Sequence, residues 1–586
     1  MTAPDPQVPP APTAPSQTDH IFPTLTPDQI TRIAVHGRRR AIARGAVLVD
    51  VGDKVVPLFV VVSGEIQVLR PSSGGDTLIV THRPGQFSGE ANMLTGRRAL
   101  ARARVSEPGE VIELSREQVL AVVQTDAELS EILMRAFILR RLELIARDLG
   151  DVVVIGSMHS AGTLRVKEFL TRNGHPYHYI DLDRDSDAQE LLDQFHVGAA
   201  DVPVLICRGD AVLRNPSNPQ IAECLGFNDP IDQTHVRDLV IVGAGPAGLA
   251  AAVYGASEGL DVLVLESNSP GGQAGSSSRI ENYLGFPTGI SGLDLTGRAY
   301  AQAQKFGAHI MIAKGASGLT CNRPLYSVHI DGGPLVPARA VIIATGAEYR
   351  KPALENLSRF EGAGVYYGAT PMEAQLCVSQ EVIVVGGGNS AGQAAVFLAQ
   401  SSKRVHMLVR GNGLADSMSR YLIRRIEENP EKIVLRTQAE IVALEGDRHL
   451  ERVQWRDSRT GSLQANDIGH VFMMTGAVPN TGWVEGCVAL DAKGFIKTGP
   501  DLSPADLAAA AWPLTRSPYL LETSRPGVFA VGDVRGGNVK RVASAVGEGS
   551  IGIAFVHQVL QQRGLYGPVR GRTNIDAMTS SSSRSS

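Results

Sequence analysis

The stretch Asp238–Glu266 constrains the fold of this chain more than any other feature of the sequence. It begins and ends with an apolar run suited to a buried strand, and an Ala-rich segment of helical length lies between the two runs. Three glycines follow the first run in the spacing G-x-G-x-x-G: Gly243, Gly245 and Gly248. The strand before this pattern, the helix after it and the acid at the end of the second strand together predict a βαβ unit that binds a dinucleotide.

Each residue of this pattern has its own physical task. Gly243 permits the tight turn, Gly245 lets a pyrophosphate approach the backbone, and Gly248 lets the helix pack closely on the strand. The free N–H groups and the dipole of the helix N-terminus favour the bound anion. Glu266 can accept hydrogen bonds from ribose hydroxyls, so the predicted ligand carries a free 2′-hydroxyl, as FAD does.

A second βαβ unit follows with the related pattern Gly386-x-Gly388-x-x-Ala391. Its second strand ends in Arg410 instead of an acid, and Arg420 follows within reach. Because an arginine at this point accommodates a ribose 2′-phosphate, the second site is predicted to prefer NADPH over NADH. A surface arginine with no ligand is the alternative interpretation.

These motifs and a closing block that contains Gly532-Asp533 resemble the thioredoxin reductase family over residues 236–566. The resemblance implies two Rossmann-like α/β domains in a homodimer, and the two domains rotate relative to each other during turnover. The implied domains are an FAD-binding domain of residues 236–352 and 476–566 and an NADPH-binding domain of residues 353–475. The implied FAD-binding residues are Gly243, Gly245, Gly248, Glu266, Gln273, Asn282 and Asp533. The implied NADPH-binding residues are Gly386, Gly388, Ala391 and Arg410, and we add Arg420 for its position.

The chain departs from this family at the redox-active C-x-x-C, which the family places in a segment that reads like YCATC. The corresponding segment is Tyr367–Pro371, which contains no cysteine. Cys377 lies several residues further on; a packed thiol is the favoured interpretation and a redox-active thiol the alternative. The five cysteines show no C-x-x-C, and their spacings suggest neither a zinc site nor a disulfide framework: Cys207, Cys224, Cys321, Cys377 and Cys487. We predict no catalytic acid, base or nucleophile and no metal site.

Residues 21–150 predict a small β-roll followed by a long helix at 128–149, because short strands of alternating polarity give way to helical spacing. Four motifs of this region are informative: Gly52-Asp53, Ser63-Gly64-Glu65, Phe87-Ser-Gly89-Glu90 and Arg97-Arg98-Ala99. The last two begin and end one segment, the cassette. The four motifs resemble the cyclic-nucleotide-binding domain family.

The resemblance implies that Glu90 holds a ribose hydroxyl, that an arginine pairs with the cyclic phosphate, and that the cassette from Gly89 to Ala99 completes the cradle. Arg98 is the predicted arginine, although Arg97 competes for the role and the interval from Glu90 is short. A roll that has kept its fold without a ligand is the alternative. The apolar stripe of the long helix fits either a dimer seam or a cover for the domain's own core.

Residues 151–230 predict the order β-α-β-α-β, with a helix at 160–173 and another at 187–195, and resemble the thioredoxin/glutaredoxin fold. The resemblance implies a cis peptide before Pro203. The place of the family's C-x-x-C is taken by Ser160–Thr163, and no hydroxyl replaces a thiolate in disulfide exchange. We therefore predict an adaptor or interface and not an electron carrier.

The overall composition is that of a globular protein with a net charge of −4. This charge gives no reason to expect nucleic acid or an acidic membrane as a partner. Residues 1–20 and 567–586 have the composition of a disordered leader and tail, and the leader lacks the pattern of a signal peptide. A cytoplasmic location is the resulting expectation.

Together these features predict an NADPH-dependent FAD oxidoreductase that passes electrons to an acceptor without a protein dithiol, gated by a cyclic nucleotide. The acceptor stays open between a quinone, oxygen, an iron–sulfur or flavin protein and a small disulfide. One alternative is a thioredoxin-disulfide reductase that uses the dithiol of a partner. Another is a sensor or scaffold that binds FAD and a cyclic nucleotide and turns over little.

Overall fold

The structure is a computed structural model that describes residues 20–71, 75–90, 92–146, 150–184, 201–207, 211–321 and 325–562. The predicted helix at 187–195, the predicted tail and nearly all of the predicted leader lie outside these residues. The chain divides into two compact units. The first consists of the residues up to 229 together with 304–306, and the second consists of the other residues from Pro230 onward.

The first unit opens with the predicted β-roll. Its strands are β1 (Arg38–Ile42), β2 (Val47–Val49), β3 (Leu58–Arg70), β4 (Thr77–His82) and β5 (Arg102–Leu114). Its helices are α1 (Pro27–Ala34), α2 (Asn92–Thr95), α3 (Arg116–Thr125) and α4 (Ala127–Ala146). The antiparallel sheet has the order β1-β5-β3-β4, and β2 pairs with β5. Gly64 allows β3 to bend, because its φ is +80° and a Cβ there would lie 2.6 Å from the backbone oxygen of Glu107.

Helix α4 covers the core of the roll. Leu129, Leu133, Ala136 and Phe137 of this helix are buried in the same apolar cluster as Phe87. The apolar stripe predicted from the sequence therefore covers the core of its own domain, which is the second of the two interpretations given above.

In the second part of the first unit, the three predicted strands and the first predicted helix are present, whereas the second predicted helix lies outside the described residues. Its elements are β6 (Val152–Gly156), α5 (Ala161–Arg172), β7 (His178–Asp181), β8 (Val204–Cys207), β9 (Ala211–Arg214) and α6 (Asn218–Cys224). The sheet order is β7-β6-β8-β9, with β6 parallel to β7 and antiparallel to β8. The Val202–Pro203 peptide is cis, and a Cβ on Gly162 would lie 2.8 Å from Cδ of Pro203. The cis proline thus lies beside the start of α5, where the family resemblance placed it.

The second unit contains two sheets of the dinucleotide-binding type. The elements of the first are β10 (Arg237–Val242), α7 (Pro246–Ser257), β11 (Val262–Glu266), α8 (Gly272–Gly275), α9 (Gly292–Lys305), β12 (His309–Ile312), β13 (Ala316–Thr320), β14 (Tyr326–Ile330) and β15 (Leu335–Ile343). The strand order is β12-β11-β10-β15-β14-β13. A strand from near the end of the chain also pairs with β15 in parallel, so this sheet is built from two separate stretches of sequence.

The chain between these stretches forms the second sheet. Its elements are β16 (Ala347–Tyr349), α10 (Leu357–Phe360), β17 (Val365–Tyr366), α11 (Pro371–Leu376), β18 (Glu381–Val385), α12 (Asn389–Leu398), β19 (Arg404–Val409), α13 (Arg420–Glu427), β20 (Ile433–Thr437), β21 (Ala439–Gly446), β22 (Leu450–Asp457), β23 (Leu463–Asn466), β24 (Val471–Met473) and β25 (Ala477–Pro479). The parallel sheet has the order β17-β24-β18-β19-β20, and β21-β22-β23 form a separate antiparallel layer. Strands β16 and β25, where the chain enters and leaves this part, pair antiparallel.

The return of the chain completes the first sheet. Its elements are the 3₁₀ turns Gly482–Val484 and Gly499–Asp501, helix α14 (Pro504–Ala509), strand β26 (Val528–Ala530), the 3₁₀ turn Gly532–Val534 and helix α15 (Val542–Gln562). Strand β26 lies beside β15, and α15 packs on α7: a Cβ on Gly549 would lie 2.2 Å from the backbone oxygen of Ala247. Within the described residues, every helix is too short or too polar to cross a membrane.

One expectation about the cysteines was wrong. Cys321 and Cys487 form a disulfide across a sequence separation of 166 residues, whereas their spacing suggested no such pairing. The sulfurs meet because the loop after β13 packs against the segment after the turn Gly482–Val484, and both belong to one apolar cluster. Cys207, Cys224 and Cys377 form no disulfide within the described residues.

Candidate functional site

The first glycine pattern lies between β10 and α7, as predicted. Gly243 has a φ of +104°, which favours glycine, and Gly245 is the N-cap of α7. A Cβ on Gly248 would lie 1.9 Å from the backbone oxygen of Gly243, so only glycine allows the helix to approach the strand this closely. Within 4 Å, a Cβ on Gly245 would meet only Cα of Gly272, at 4.0 Å, which leaves the helix N-terminus open to an anion.

Glu266 lies at the end of β11 and is 7% exposed. One carboxylate oxygen accepts a hydrogen bond from the backbone N–H of Ala244 at 2.8 Å, and the other accepts one from Asn268 at 2.9 Å. The carboxylate is thereby fixed beside the glycine turn, where the adenosine ribose of a dinucleotide would lie. A cradle of this shape with a buried acid beside it fits the FAD that the sequence predicts.

Two further predicted FAD residues adjoin this cradle. The segment of Gln273 is tied to the turn because the N–H of Gly271 donates to the oxygen of Ala244 at 2.8 Å. Asp533 lies in the 3₁₀ turn after β26, and a Cβ on its neighbour Gly532 would lie 2.9 Å from Cβ of Ala247 in α7. Burial raises the pKa of Asp533 above its usual value, and the charges of Lys540 and Glu548 act on it in opposite directions.

Asn282 differs from these residues. It lies in an exposed loop after residue 280, and no contact of its side chain in the described structure brings it to the cradle. Its assignment therefore stays a prediction carried by the family resemblance.

The second pattern forms a similar cradle between β18 and α12. Gly386 has a φ of +141°, Gly388 is the N-cap of α12, and Ala391 is fully buried beneath the turn. A Cβ on Gly386 would lie 2.4 Å from the backbone oxygen of Met474, whereas a Cβ on Gly388 would meet nothing within 4 Å. The open side of the turn at Gly388 fits the pyrophosphate of a second dinucleotide.

Arg410 directly follows β19 and Arg420 is the first residue of α13, and both side chains are exposed. Their segment is tied to the cradle by two hydrogen bonds that the sequence analysis did not anticipate. Oγ of Ser417 donates to the oxygen of Gly387 at 2.8 Å, and Oδ1 of Asn389 accepts from the N–H of Ser419 at 2.7 Å.

Tyr349 is a further residue near the site that the sequence did not indicate. Burial raises the pKa of this phenol, a hydrogen bond with Ser390 opposes that shift, and the charge of Asp533 adds to it. The phenol therefore lies close to the start of α12, and the charge of Asp533, which is predicted to bind FAD, acts on its pKa. A tyrosine in a short strand between two domains carries no sequence pattern that would have identified it.

The segment Tyr367–Pro371 leads into helix α11 and contacts the first sheet's domain, because Ala369 pairs with Ser277 in an isolated β-bridge. Thr370 caps the helix: its backbone N–H donates to the carboxylate of Glu373 at 2.8 Å. Cys377 follows the helix and is fully buried, and burial raises the pKa of its thiol to about 11. A thiol with this pKa is protonated at neutral pH and is a poor nucleophile.

In the β-roll, the cassette residues do not all converge on one site. Gly89, Glu90 and Ala99 line a cavity of about 190 Å³ inside the roll, whereas Arg98 does not. Arg98 instead donates to the backbone oxygen of Gly52 at 2.9 Å. Arg97 is buried outside the cavity, with its guanidinium 4.0 Å from the ring centre of Phe227.

Glu90 is also engaged. Its carboxylate lies 3.3 Å from Nη1 of Arg141, whose Nε donates to the oxygen of Gly174 at 2.7 Å. Glu90, which the family resemblance assigns to the ribose, is therefore linked through the buried Arg141 to the thioredoxin-like part of the first unit.

Two family descriptions match this chain. Residues 237–549 match the pyridine nucleotide-disulphide oxidoreductase family, and residues 39–126 match the cyclic nucleotide-binding domain family. The chain is 33% identical to the thioredoxin reductase of Mycolicibacterium smegmatis over 54% of its own length and 93% of the relative. It is 30% identical to that of Bacillus subtilis over 57% of its own length and 97% of the relative. The solved thioredoxin reductase of Lactococcus lactis in its FR conformation aligns with a TM-score of 0.50 and 27% identity, covering 56% of this chain and 99% of that one.

Proposed function

Because the chain belongs to the pyridine nucleotide-disulphide oxidoreductase family, we propose that it oxidises NADPH through FAD and passes the electrons directly to an external acceptor. Direct transfer to an external acceptor is proposed because the segment Tyr367–Pro371 contains no cysteine. The cysteine nearest in the sequence, Cys377, is buried, and burial raises the pKa of its thiol to about 11. A relay through a dithiol in this segment therefore has no thiolate to run through.

The residues around the two cradles support the first half of the proposal. Gly245 would receive the pyrophosphate of FAD at the start of α7, and Glu266 would hold its ribose. Gly388 would receive the pyrophosphate of NADPH, and Arg410 would meet its 2′-phosphate. When bound, FAD supplies the hydride and electron chemistry, and the protein supplies position and exclusion of water.

The acceptor is proposed only by class. A quinone, oxygen, a redox protein with its own centre, or a small disulfide could each take electrons without a dithiol from this chain. The relatives named above are thioredoxin reductases, which favours a second candidate in which a partner supplies the dithiol. The homodimer and the cytoplasmic location stay predictions.

We propose in addition that the β-roll is the effector-binding domain of the enzyme. Its family match favours a cyclic nucleotide as the first effector to test. Coupling requires that the effector bind two states of the protein with different affinity.

The test is anaerobic stopped-flow mixing of the FAD-loaded protein with NADPH, monitored by flavin absorbance. We expect rapid bleaching, then reoxidation when a quinone is added. Cys377→Ser is the matched control, and it should leave both phases unchanged because a buried thiol takes no part. Reduction of thioredoxin by the purified protein alone would contradict the direct-acceptor proposal. Flavin that NADPH never reduces would favour the sensor or scaffold.

A further inference from the structure

Two buried arginines of the β-roll part cap the C-terminal end of helix α5 in the thioredoxin-like part. Nη1 of Arg97, in the cassette, donates to the backbone oxygen of Asn173, the C-cap residue of α5, at 2.8 Å. Nε of Arg141, in the covering helix α4, donates to the backbone oxygen of Gly174 at 2.7 Å. Carbonyls at the end of a helix lack partners within the helix and carry the negative end of its dipole. The end of α5 therefore occupies these two cations much as an anion would.

The segment after helix α6 completes this contact. The guanidinium of Arg97 lies 4.0 Å from the ring centre of the buried Phe227, within the range of a cation–π interaction. The same ring stacks on Phe169 of α5, with the two ring centres 6.1 Å apart. Arg98 packs on the neighbouring residue, because a Cβ on Gly226 would lie 2.7 Å from Nε of Arg98. Both cassette arginines are thus held by the thioredoxin-like part.

This arrangement leaves the cavity of the roll without an available cation. Neither cassette arginine is among the described residues of its lining. Arg140 lines the cavity, but its guanidinium lies over the rings of Phe22 and Phe87, at 5.1 and 4.6 Å from their centres. Glu90 and Glu143 bring carboxylates to the same walls. Because a buried phosphate needs an arginine to offset its desolvation, a cyclic nucleotide fits this domain only after a cassette arginine has left the thioredoxin-like part.

We propose that the thioredoxin-like part docks on these arginines in place of a cyclic phosphate, so that its docking and the binding of a cyclic nucleotide exclude each other. The end of α5 takes the hydrogen bonds of Arg97 and Arg141, and the segment after α6 holds Arg98 away from the cavity. A nucleotide that recruits Arg98 must break its packing on Gly226. This exclusion rests on the proposed role of the roll as the effector-binding domain, and it supplies the two states that coupling requires.

The docked segment is continuous in sequence with the flavoprotein half. Phe227 lies three residues before Pro230, the residue at which the second unit begins. Release of Phe227 from Arg97 would therefore free additional chain at this junction. The dithiol-free thioredoxin-like part would then act as the adaptor that its sequence predicts, because its docking makes the state of the roll felt at the start of the second unit.

The experiment is calorimetric titration of the full-length, FAD-loaded protein with cyclic AMP and with cyclic GMP. Phe227→Ala removes the aromatic partner of Arg97 and leaves every residue of the roll unchanged. We expect this variant to bind a cyclic nucleotide at least about tenfold more tightly than the wild type, because the docked fraction of the protein reduces the apparent affinity. Arg98→Met in the Phe227→Ala background should cancel this gain, since the phosphate then loses its charge-assisted hydrogen bonds.

Two further variants separate release of the contact from general loss of stability. Gly226→Ala is a second release variant, because its new methyl group would lie 2.7 Å from Nε of Arg98, and it should also tighten nucleotide binding. Val154→Ala is the matched control: it removes packing from the buried strand β6 of the same part, outside the contact, and should leave the nucleotide affinity unchanged. In the wild-type protein, a saturating nucleotide should speed hydrogen exchange at residues 225–227.

The outcomes distinguish this exclusion from the effector role on which it rests. Release variants that bind a nucleotide no more tightly than the wild type would overturn the exclusion and leave the effector role intact. Absence of nucleotide binding in the wild type and in every variant would overturn both. Reduction of FAD by NADPH, measured by stopped flow on the same samples, reports the oxidoreductase activity independently of either result.

Discussion

At the scale of single residues, the predicted NADPH site differs from the predicted FAD site by the chemistry of one position, the residue expected to meet the adenosine ribose. The strand β11 ends in a buried acid, Glu266, whereas β19 is followed by an exposed arginine, Arg410. An exposed guanidinium retains its hydration until a ligand arrives, so its hydrogen bonds to a phosphate are made at modest cost. Coenzyme preference should then reside in this arginine and in Arg420 rather than in the glycine turn.

We predict that the double variant Arg410→Ala/Arg420→Ala lowers kcat/KM for NADPH by about 10- to 100-fold, the loss expected for charge-assisted hydrogen bonds to a phosphate. The value for NADH should stay within about twofold, because NADH has no 2′-phosphate to lose contact with. Steady-state kinetics with a quinone acceptor measures both values. Arg404→Ala, at the other end of the same strand, is the matched control. Equal efficiency of the wild-type protein with NADH and NADPH would contradict the assignment.

The residue scale also shows where the sequence alone was insufficient. The glycines of both turns and Glu266 lie where they were predicted, because each turn joins a strand to the helix that follows it directly in the sequence. Arg98 does not reach the roll cavity, and Arg140, which does, was not predicted. The reason is contact between distant segments: the cassette arginines face residues near Phe227, more than a hundred positions later.

At the scale of elements, the predicted FAD site depends on the close approach of α7 to β10. We predict that Gly248→Ala abolishes stable FAD binding, because the new methyl group would lie 1.9 Å from the oxygen of Gly243 and push the helix away from the turn. The bound flavin per chain, measured by absorbance after purification, should fall well below that of the wild type.

The matched control for this variant is Gly297→Ala in the exposed helix α9, where a Cβ meets nothing within 4 Å. It should retain full flavin content and raise helix stability by up to ~1 kcal/mol, since alanine is the better helix former. Full flavin content in Gly248→Ala would show that the turn is not the pyrophosphate cradle.

The predicted elements were mostly correct for the same physical reason. Apolar periodicity and turn residues are local signals, and they identified the roll, the strands and first helix of the thioredoxin-like part, and both βαβ units. Long-range pairing is not local, and the Cys321–Cys487 disulfide, whose partners are 166 residues apart, was therefore missed. Strand β26 was assigned to the first sheet through a family resemblance and not through its own pattern.

At the scale of the whole molecule, the sheet of the predicted FAD-binding domain is completed only after the chain has formed the second sheet. The chain leaves through β16 and returns through β25, and these two strands pair with each other. Both cysteines of the disulfide lie outside the inserted stretch, one before β16 and one after β25. The loop that the disulfide closes therefore contains the entire predicted NADPH-binding domain of residues 353–475. A cross-link in this place restricts the unfolded chain strongly while leaving the inserted domain free to fold by itself.

We predict that Cys321→Ser/Cys487→Ser destabilises the flavin-binding half by about 2–4 kcal/mol, because the unfolded chain gains the entropy of an open loop. The midpoint of thermal FAD release, followed by flavin fluorescence, should fall by on the order of 5 °C. A reductant should produce the same fall in the wild-type protein and no further fall in the double variant, which controls for effects on the three cysteines outside the disulfide. The glutathione poise of a reducing compartment opposes disulfides, so the size of this difference also measures how much stability the protein would lose there. A wild-type midpoint that does not respond to reductant would mean that the cross-link adds nothing to the stability of this half.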